Sequence, residues 1–124
     1  MKKTILLFTE SLDDNTTLVR KVLSASGYEV LWANTFEKAL DIVSAYPPGL
    51  ILIDLIIADI DGNSPVDYFR NIPKLNNVPL IGMIAASGEM SKISEKDNGC
   101  DGYIHRPVDI RNLSETISHF LKPT

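Results

Sequence analysis

Asp54 is a carboxylate at the end of an otherwise apolar run, Leu50-Ile51-Leu52-Ile53-Asp54-Leu55-Ile56-Ile57. Four apolar residues in a row after Pro47-Pro48-Gly49 suit a strand buried on both faces of a parallel sheet. A carboxylate inside such a core is costly to ionise. At the carboxyl end of the strand it instead faces the crevice where open α/β sheets bind ligands. Asp54 is therefore either a buried capping group or a reactive group presented at a site. Few other side chains compete for chemistry. Cys100 is the one cysteine, so no internal disulfide forms, and it reads as a small core residue. His105 and His119 do not stand at metal-ligand spacing, and each reads as a packed or surface histidine.

The elements that must position Asp54 alternate strand and helix from end to end. Ile5–Phe8 reads as a first strand, followed by the polar loop Thr9-Glu10-Ser11-Leu12-Asp13-Asp14-Asn15. Leu18, Val19, Val22 and Leu23 fall at helical spacing with Asp14 or Asn15 as N-cap, and Gly27 suits the left-handed residue that ends a helix. Glu29–Ala33 is the second strand. Thr35 caps a helix carrying Phe36, Ala39, Leu40, Ile42 and Val43, and Pro47-Pro48 stops it. Leu50–Ile53 is the third strand. Ser64-Pro65 opens a helix with Val66, Phe69 and Ile72, because proline suits the first helical position. Leu80–Ile84 is the fourth strand, Glu89–Asp97 a polar helix closed by Gly99, and Tyr103–His105 the fifth strand. Asp109 caps a last helix whose stripe is Ile110, Leu113, Ile117, Phe120 and Leu121. Five strand–helix units imply a parallel sheet with helices on both faces. Trp32 reads as packed under a helix, far from Asp54 in sequence and so a poor reporter of that site.

The totals agree with one such domain over residues 1–124. The 44% of hydrophobic residues can bury a core, and 23% charged residues is near the globular norm. A net charge of −4 argues against a nucleic-acid backbone as direct partner, and sixteen acids against twelve bases leave room for a cation-binding cluster. No run is long enough for a signal peptide or a membrane span. Together with the lone cysteine this gives the expectation of a soluble, cytoplasmic protein.

In this order, the pieces resemble the response-regulator receiver domain, the CheY-like fold. The residues that carry the likeness are the apolar strand ending in Asp54, then Asp61-Gly62, Val78-Pro79 before the fourth strand, and Gly99-Cys100-Asp101-Gly102-Tyr103-Ile104 before Arg106-Pro107. The resemblance implies a (βα)5 sandwich with strand order 2-1-3-4-5. It also implies that Asp54 accepts a phosphoryl group from a histidine kinase or a histidine phosphotransfer protein. Mg²⁺ is the cofactor it implies, held by Glu10, Asp54 and the main-chain carbonyl of Ile56, with Arg106 on the phosphoryl oxygens in place of the usual lysine. Ile84 stands where the family has its switch threonine, and Tyr103 matches the aromatic residue that moves with it. Receivers often carry a cis peptide at the position of Arg106-Pro107. The output face would include Lys92, Glu95, Lys96 and Tyr103. Thr9 stands where the first acid of the metal-binding pair is expected, and the loop after it is one residue longer than usual. Asp13-Asp14-Asn15 lies too far past the strand to be that pair. It reads as a solvated loop or helix cap, the other option being a displaced loop that swings Asp13 toward the site. Ala58 replaces a common loop proline, Ala85 leaves room for a phosphoryl group, and Ser87 lies too far along to replace the threonine.

Three functions are thus in view. The first is a phosphorylatable receiver in a two-component phosphorelay, a signalling module rather than an enzyme. The second, motivated by Thr9 and Ile84, is a pseudo-receiver that binds a protein partner without phosphorylation. The third, a flavodoxin-like FMN carrier, is disfavoured because the loop after the first strand has three acids and no glycine to cradle a phosphate.

Overall fold

A computed structural model describes residues 3–55, 65–84 and 100–121 of the chain. The readings placed on Ile56, Ala58, Asp61-Gly62, Ser64, Ala85, Ser87, Glu89–Asp97 with Lys92, Glu95 and Lys96, and Gly99 lie outside the described residues.

The apolar runs form strands where their β-branched content and flanking turns place them. They are β1 (Thr4–Phe8), β2 (Glu29–Ala33), β3 (Leu50–Asp54), β4 (Leu80–Ile84) and β5 (Gly102–His105). All pair in parallel in the order β2-β1-β3-β4-β5. The helices are α1 (Asp14–Ala25), α2 (Phe36–Ala45), α3 (Pro65–Arg70) and α4 (Leu113–Leu121), with a short 3₁₀ turn at Pro73–Leu75.

Alternation along the strands divides the core in two, because successive side chains of a strand leave opposite faces. Leu50 and Leu52 of β3 join Ile5, Leu7, Ile81 and Met83 beneath Val19 and Leu23 of α1 and Leu113 and Ile117 of α4. Ile51 and Ile53 join Leu6, Phe8 and Leu80 beneath Ala39 and Val43 of α2 and Val66 and Phe69 of α3. Every residue of β3 and β4 is buried, which is why these strands read as unbroken apolar runs rather than alternating ones.

The strands β2 and β4 have the expected bounds, and Thr35 caps α2 through its hydroxyl, which accepts the Lys38 amide at 3.2 Å. Two caps differ. The N-cap of α1 is Asp13, not Asp14 or Asn15: its Oδ1 accepts the Thr16 amide at 2.8 Å. Asp109 does not cap α4. It accepts the Arg111 amide at 3.0 Å and pairs with the Arg111 guanidinium at 2.9 Å, closing a local turn, and the helix begins at Leu113. Gly27 has φ +99°, the left-handed geometry expected after α1. Arg106-Pro107 is a cis peptide.

Candidate functional site

Register places the ends of four strands along one edge of the sheet. Phe8 pairs with Ile53, Asp54 with Met83, and Ile84 with His105. The residues that follow continue the ladder: the Thr9 amide donates to the Ala33 carbonyl at 3.1 Å, Leu55 to Met83 at 3.1 Å and Arg106 to Ile84 at 2.7 Å. Thr9, Asp54, Ile84 and Arg106 therefore arrive side by side at the carboxyl ends of β1, β3, β4 and β5, the edge at which parallel α/β sheets present their sites.

Asp54 is 3% exposed, at the mouth of the core. Its Oδ2 accepts from Nη1 of Arg106 and lies 3.3 Å from the Thr9 hydroxyl. Thr9 is itself buried, and its Oγ1 is also 3.3 Å from the Ser11 carbonyl, so its one proton serves one acceptor at a time. The second terminal nitrogen of Arg106 donates to Asp13 Oδ2 at 2.9 Å and to Thr16 Oγ1 at 3.2 Å. One planar guanidinium thus spans the acceptor edge and the start of α1, a geometry open to arginine and not to lysine. The Thr16 amide and hydroxyl, and then Arg106, hold the Asp13 carboxyl below its ordinary value against the opposing effect of burial.

Glu10 is exposed immediately beyond Thr9 and makes no hydrogen bond or ion pair with another described residue. Ile84 is 1% exposed, with its main-chain oxygen on the Arg106 amide, and its side chain has nothing to donate. Tyr103 is half-buried beside Gly82 in the register.

A family profile described as the response regulator receiver domain matches residues 7–118. The chain belongs to the response regulator receiver family. The receiver is 27% identical over 121 residues to the polar-differentiation response regulator DivK of Brucella ovis, with 98% of each chain covered. It also superposes on solved receivers. The chemotaxis response regulator CheY4 of Vibrio cholerae gives a TM-score of 0.82 at 21% identity, covering 98% of this chain and 100% of that one. A response regulator from Desulfuromonas acetoxidans gives 0.84 at 20% identity, with 96% of each chain covered. These two likenesses carry the CheY-like fold. Receivers are signalling phosphoacceptor domains of two-component systems that work with histidine kinases or phosphotransfer proteins.

Receivers typically bind Mg²⁺ at an acidic pocket. Here the fit is one of donor chemistry. Asp54 ends β3 and Glu10 lies just beyond the neighbouring β1, both offering hard carboxylate oxygens, and the contact from Thr9 to Asp54 shows that the two strand ends meet. The set is lean, since the described residues contain no group of three or more His, Cys, Asp or Glu able to hold a metal. Thr9 brings a neutral hydroxyl where a further acid would bring charge, and Arg106 already neutralises part of Asp54.

Sequence reasoning missed two participants, Asn15 and Trp32, and left a third, Asp13, between two readings. Asp13 both caps α1 and reaches Arg106, so the cap reading and the displaced-loop reading hold together. Asn15 is not a cap: its side chain grips the backbone of Val108, with Nδ2 donating to the carbonyl at 3.0 Å and Oδ1 accepting the amide at 2.7 Å. Trp32 is joined to the site after all, because its indole Nε1–H donates to the Thr9 carbonyl at 3.0 Å. The only local signal for any of these was the spacing from Asp13 to Thr16, which is that of an N-cap.

Proposed function

We propose that this receiver, taken as residues 1–124, accepts a phosphoryl group on Asp54 from a phosphohistidine of a kinase or phosphotransfer partner in the cytoplasm, and so regulates a protein–protein contact. The observation that carries this reading is the buried Asp54 carboxylate at the carboxyl end of the central strand, paired with Arg106. An Asp54 oxygen would form the new bond to phosphorus as the phosphorus–nitrogen bond breaks, and the imidazole nitrogen leaves with the electron pair. The negative charge carried on the phosphoryl oxygens then falls beside the Arg106 guanidinium, which presents several donors. Glu10, Asp54 and the Ile56 carbonyl would hold Mg²⁺, which when bound neutralises charge between carboxylate and phosphoryl group. Thr9 would orient the acceptor. Ile84 and Tyr103 occupy the switch positions, with Tyr103 as the residue able to report a change.

The test is intact mass after incubation with Mg²⁺ and acetyl phosphate, wild type beside Asp54→Asn. A single phosphoryl adduct confined to the wild type supports the reading, and an adduct that persists on Asp54→Asn overturns it. The buried, hydroxyl-free Ile84 favours one second reading, a pseudo-receiver that binds its partner without phosphorylation. No adduct on a folded wild type, with partner binding unaltered by Asp54→Asn, is the outcome that this second reading requires.

A further inference from the structure

Two segments meet beside Asp54, the stretch from the end of β1 into the first turn of α1 and the strap that follows β5. They are stapled together at two points. Asn15 takes both main-chain groups of Val108, at 3.0 and 2.7 Å. Asp13 takes Arg106 at 2.9 Å. The other end of the loop is fixed by the indole of Trp32 on the Thr9 carbonyl. Asp13 divides its two oxygens between two tasks. Oδ1 accepts the Thr16 amide, which locks the carboxylate to the first turn of α1 and so aims Oδ2 at Arg106. The guanidinium is then held at Nη2 by Asp13 and Thr16 and at Nη1 by Asp54, with its side chain 16% exposed.

We propose that Asp13 is a positioning residue for phosphoryl transfer, holding the Arg106 guanidinium in one orientation over Asp54. The proposal deepens the phosphoacceptor reading and rests on it. A lysine in this place would act as a point charge and need no such support. A planar fork loses its value if it turns, since its donors meet phosphoryl oxygens only in one plane. Charge stabilisation is effective when the donors need not reorganise as the reaction proceeds. Asp13 supplies that preorganisation from outside the acceptor pocket, on a carboxylate that is itself fixed by a helix cap.

The decisive substitution is Asp13→Asn. Asparagine caps a helix as well as aspartate does, so α1 is kept, while the anionic partner of Arg106 is removed. In the wild type the Arg106 guanidinium N–H resonances are expected to be resolved and slow to exchange. In Asp13→Asn they merge, while the Thr16 amide stays protected. With acetyl phosphate and Mg²⁺, the saturating phosphorylation rate falls about tenfold and the half-saturating donor concentration holds, as expected for lost orientation rather than lost binding. In an Arg106→Lys background the same Asp13→Asn change alters the rate less than about twofold, because no fork is left to position. Equal rates in wild type and Asp13→Asn, or an equal loss in the lysine background, overturn the role of Asp13 and leave Asp54 as acceptor. No adduct on the wild type removes the acceptor reading and this role together.

Discussion

Arg106 places its two terminal nitrogens on two different carboxylates, Nη1 on Asp54 at the end of β3 and Nη2 on Asp13 at the start of α1. The two pairs are unequal. The Asp54 side chain is 4% exposed and that of Asp13 is 54% exposed. Burial makes the first pair costly to break from one side, while solvent screens the second.

Arg106→Ala is therefore expected to destabilise the receiver by about 3 kcal/mol, at the low end for a broken buried pair because Thr9 also reaches Asp54. Asp54→Asn combined with Arg106→Ala should regain most of that loss, since no buried charge is left. Urea midpoints of the four proteins check this. If the double variant is as unstable as Arg106→Ala, packing of the arginine stem matters more than the charge pair.

Asp13 gives a pH signature with a definite sign. Its folded carboxyl titrates below the ordinary 3.8, with the Thr16 amide the largest cause and Arg106 a smaller one. A depressed carboxylate contributes stability that is present above its unfolded value and is lost as the pH falls through the folded one. The side-chain carboxyl ¹³C shift of Asp13 should show a midpoint below 3.8. Arg106→Lys should move that midpoint little, because the Thr16 hydrogen bond dominates. A large upward move would reverse that order of causes.

The sheet was legible because burial on both faces leaves an unmistakable pattern. Leu50–Ile53 and Leu80–Ile84 are continuous apolar runs, and the acidic residue that ends the first of them marks the working edge. Proline and threonine punctuation gave α2 and α3. The loop-to-loop contacts were not legible. Asp13 to Arg106 and Asn15 to Val108 each span 93 positions, and no local periodicity encodes a side chain that reaches across the sheet edge. Trp32 packs against the core that Val19 and Leu23 of α1 cover, as read, but its link to the site was hidden for the same reason: it is distant from Asp54 in the chain, while β2 lies beside β1, which brings the indole to the Thr9 carbonyl. Asp109 failed differently, because a neighbouring arginine offered both amide and guanidinium to the carboxylate that was expected to cap α4.

Gly102 pairs with Ile81 and so opens β5 one residue before the expected start, at a position with no room for a side chain. A Cβ there would run into the ring of Phe120 on α4, with Cε1 at 3.0 Å. Gly102→Ala is expected to cost about 1–3 kcal/mol as the ring is displaced. Thermal melting checks it, and Phe120→Leu in the same chain should relieve part of the loss. An unchanged midpoint for Gly102→Ala would mean that α4 shifts freely on the sheet.

Cys100 should be chemically quiet at neutral pH. Burial pushes its thiol up to about 11, against the opposing hydrogen bond from Tyr103 and the charge of Arg70. Thiolate is the reactive form, so alkylation by iodoacetamide should be slow at pH 7 and rise steadily with pH. Tyr103→Phe removes a group that favours the thiolate and should slow the reaction further. Faster labelling of Tyr103→Phe would mean that the tyrosine acts as a cover over the sulfur rather than as a hydrogen-bond donor.

Ile84→Thr tests whether the missing hydroxyl is all that separates this edge from one that responds to a phosphoryl group. Ile84 is 1% exposed and stands one residue beyond Met83, the register partner of Asp54. A threonine there buries a hydroxyl with no acceptor assured, which is expected to destabilise the protein by about 1–3 kcal/mol. Beryllofluoride bound at Asp54 in the presence of Mg²⁺ would supply an acceptor. The stability gap between Ile84→Thr and wild type should then narrow, and Tyr103 resonances should shift in the variant more than in the wild type. Melting curves and amide spectra with and without beryllofluoride decide it. A gap that does not narrow would place residue 84 out of reach of Asp54, and the route from acceptor to surface would have to run through Arg106 and the strap that follows it.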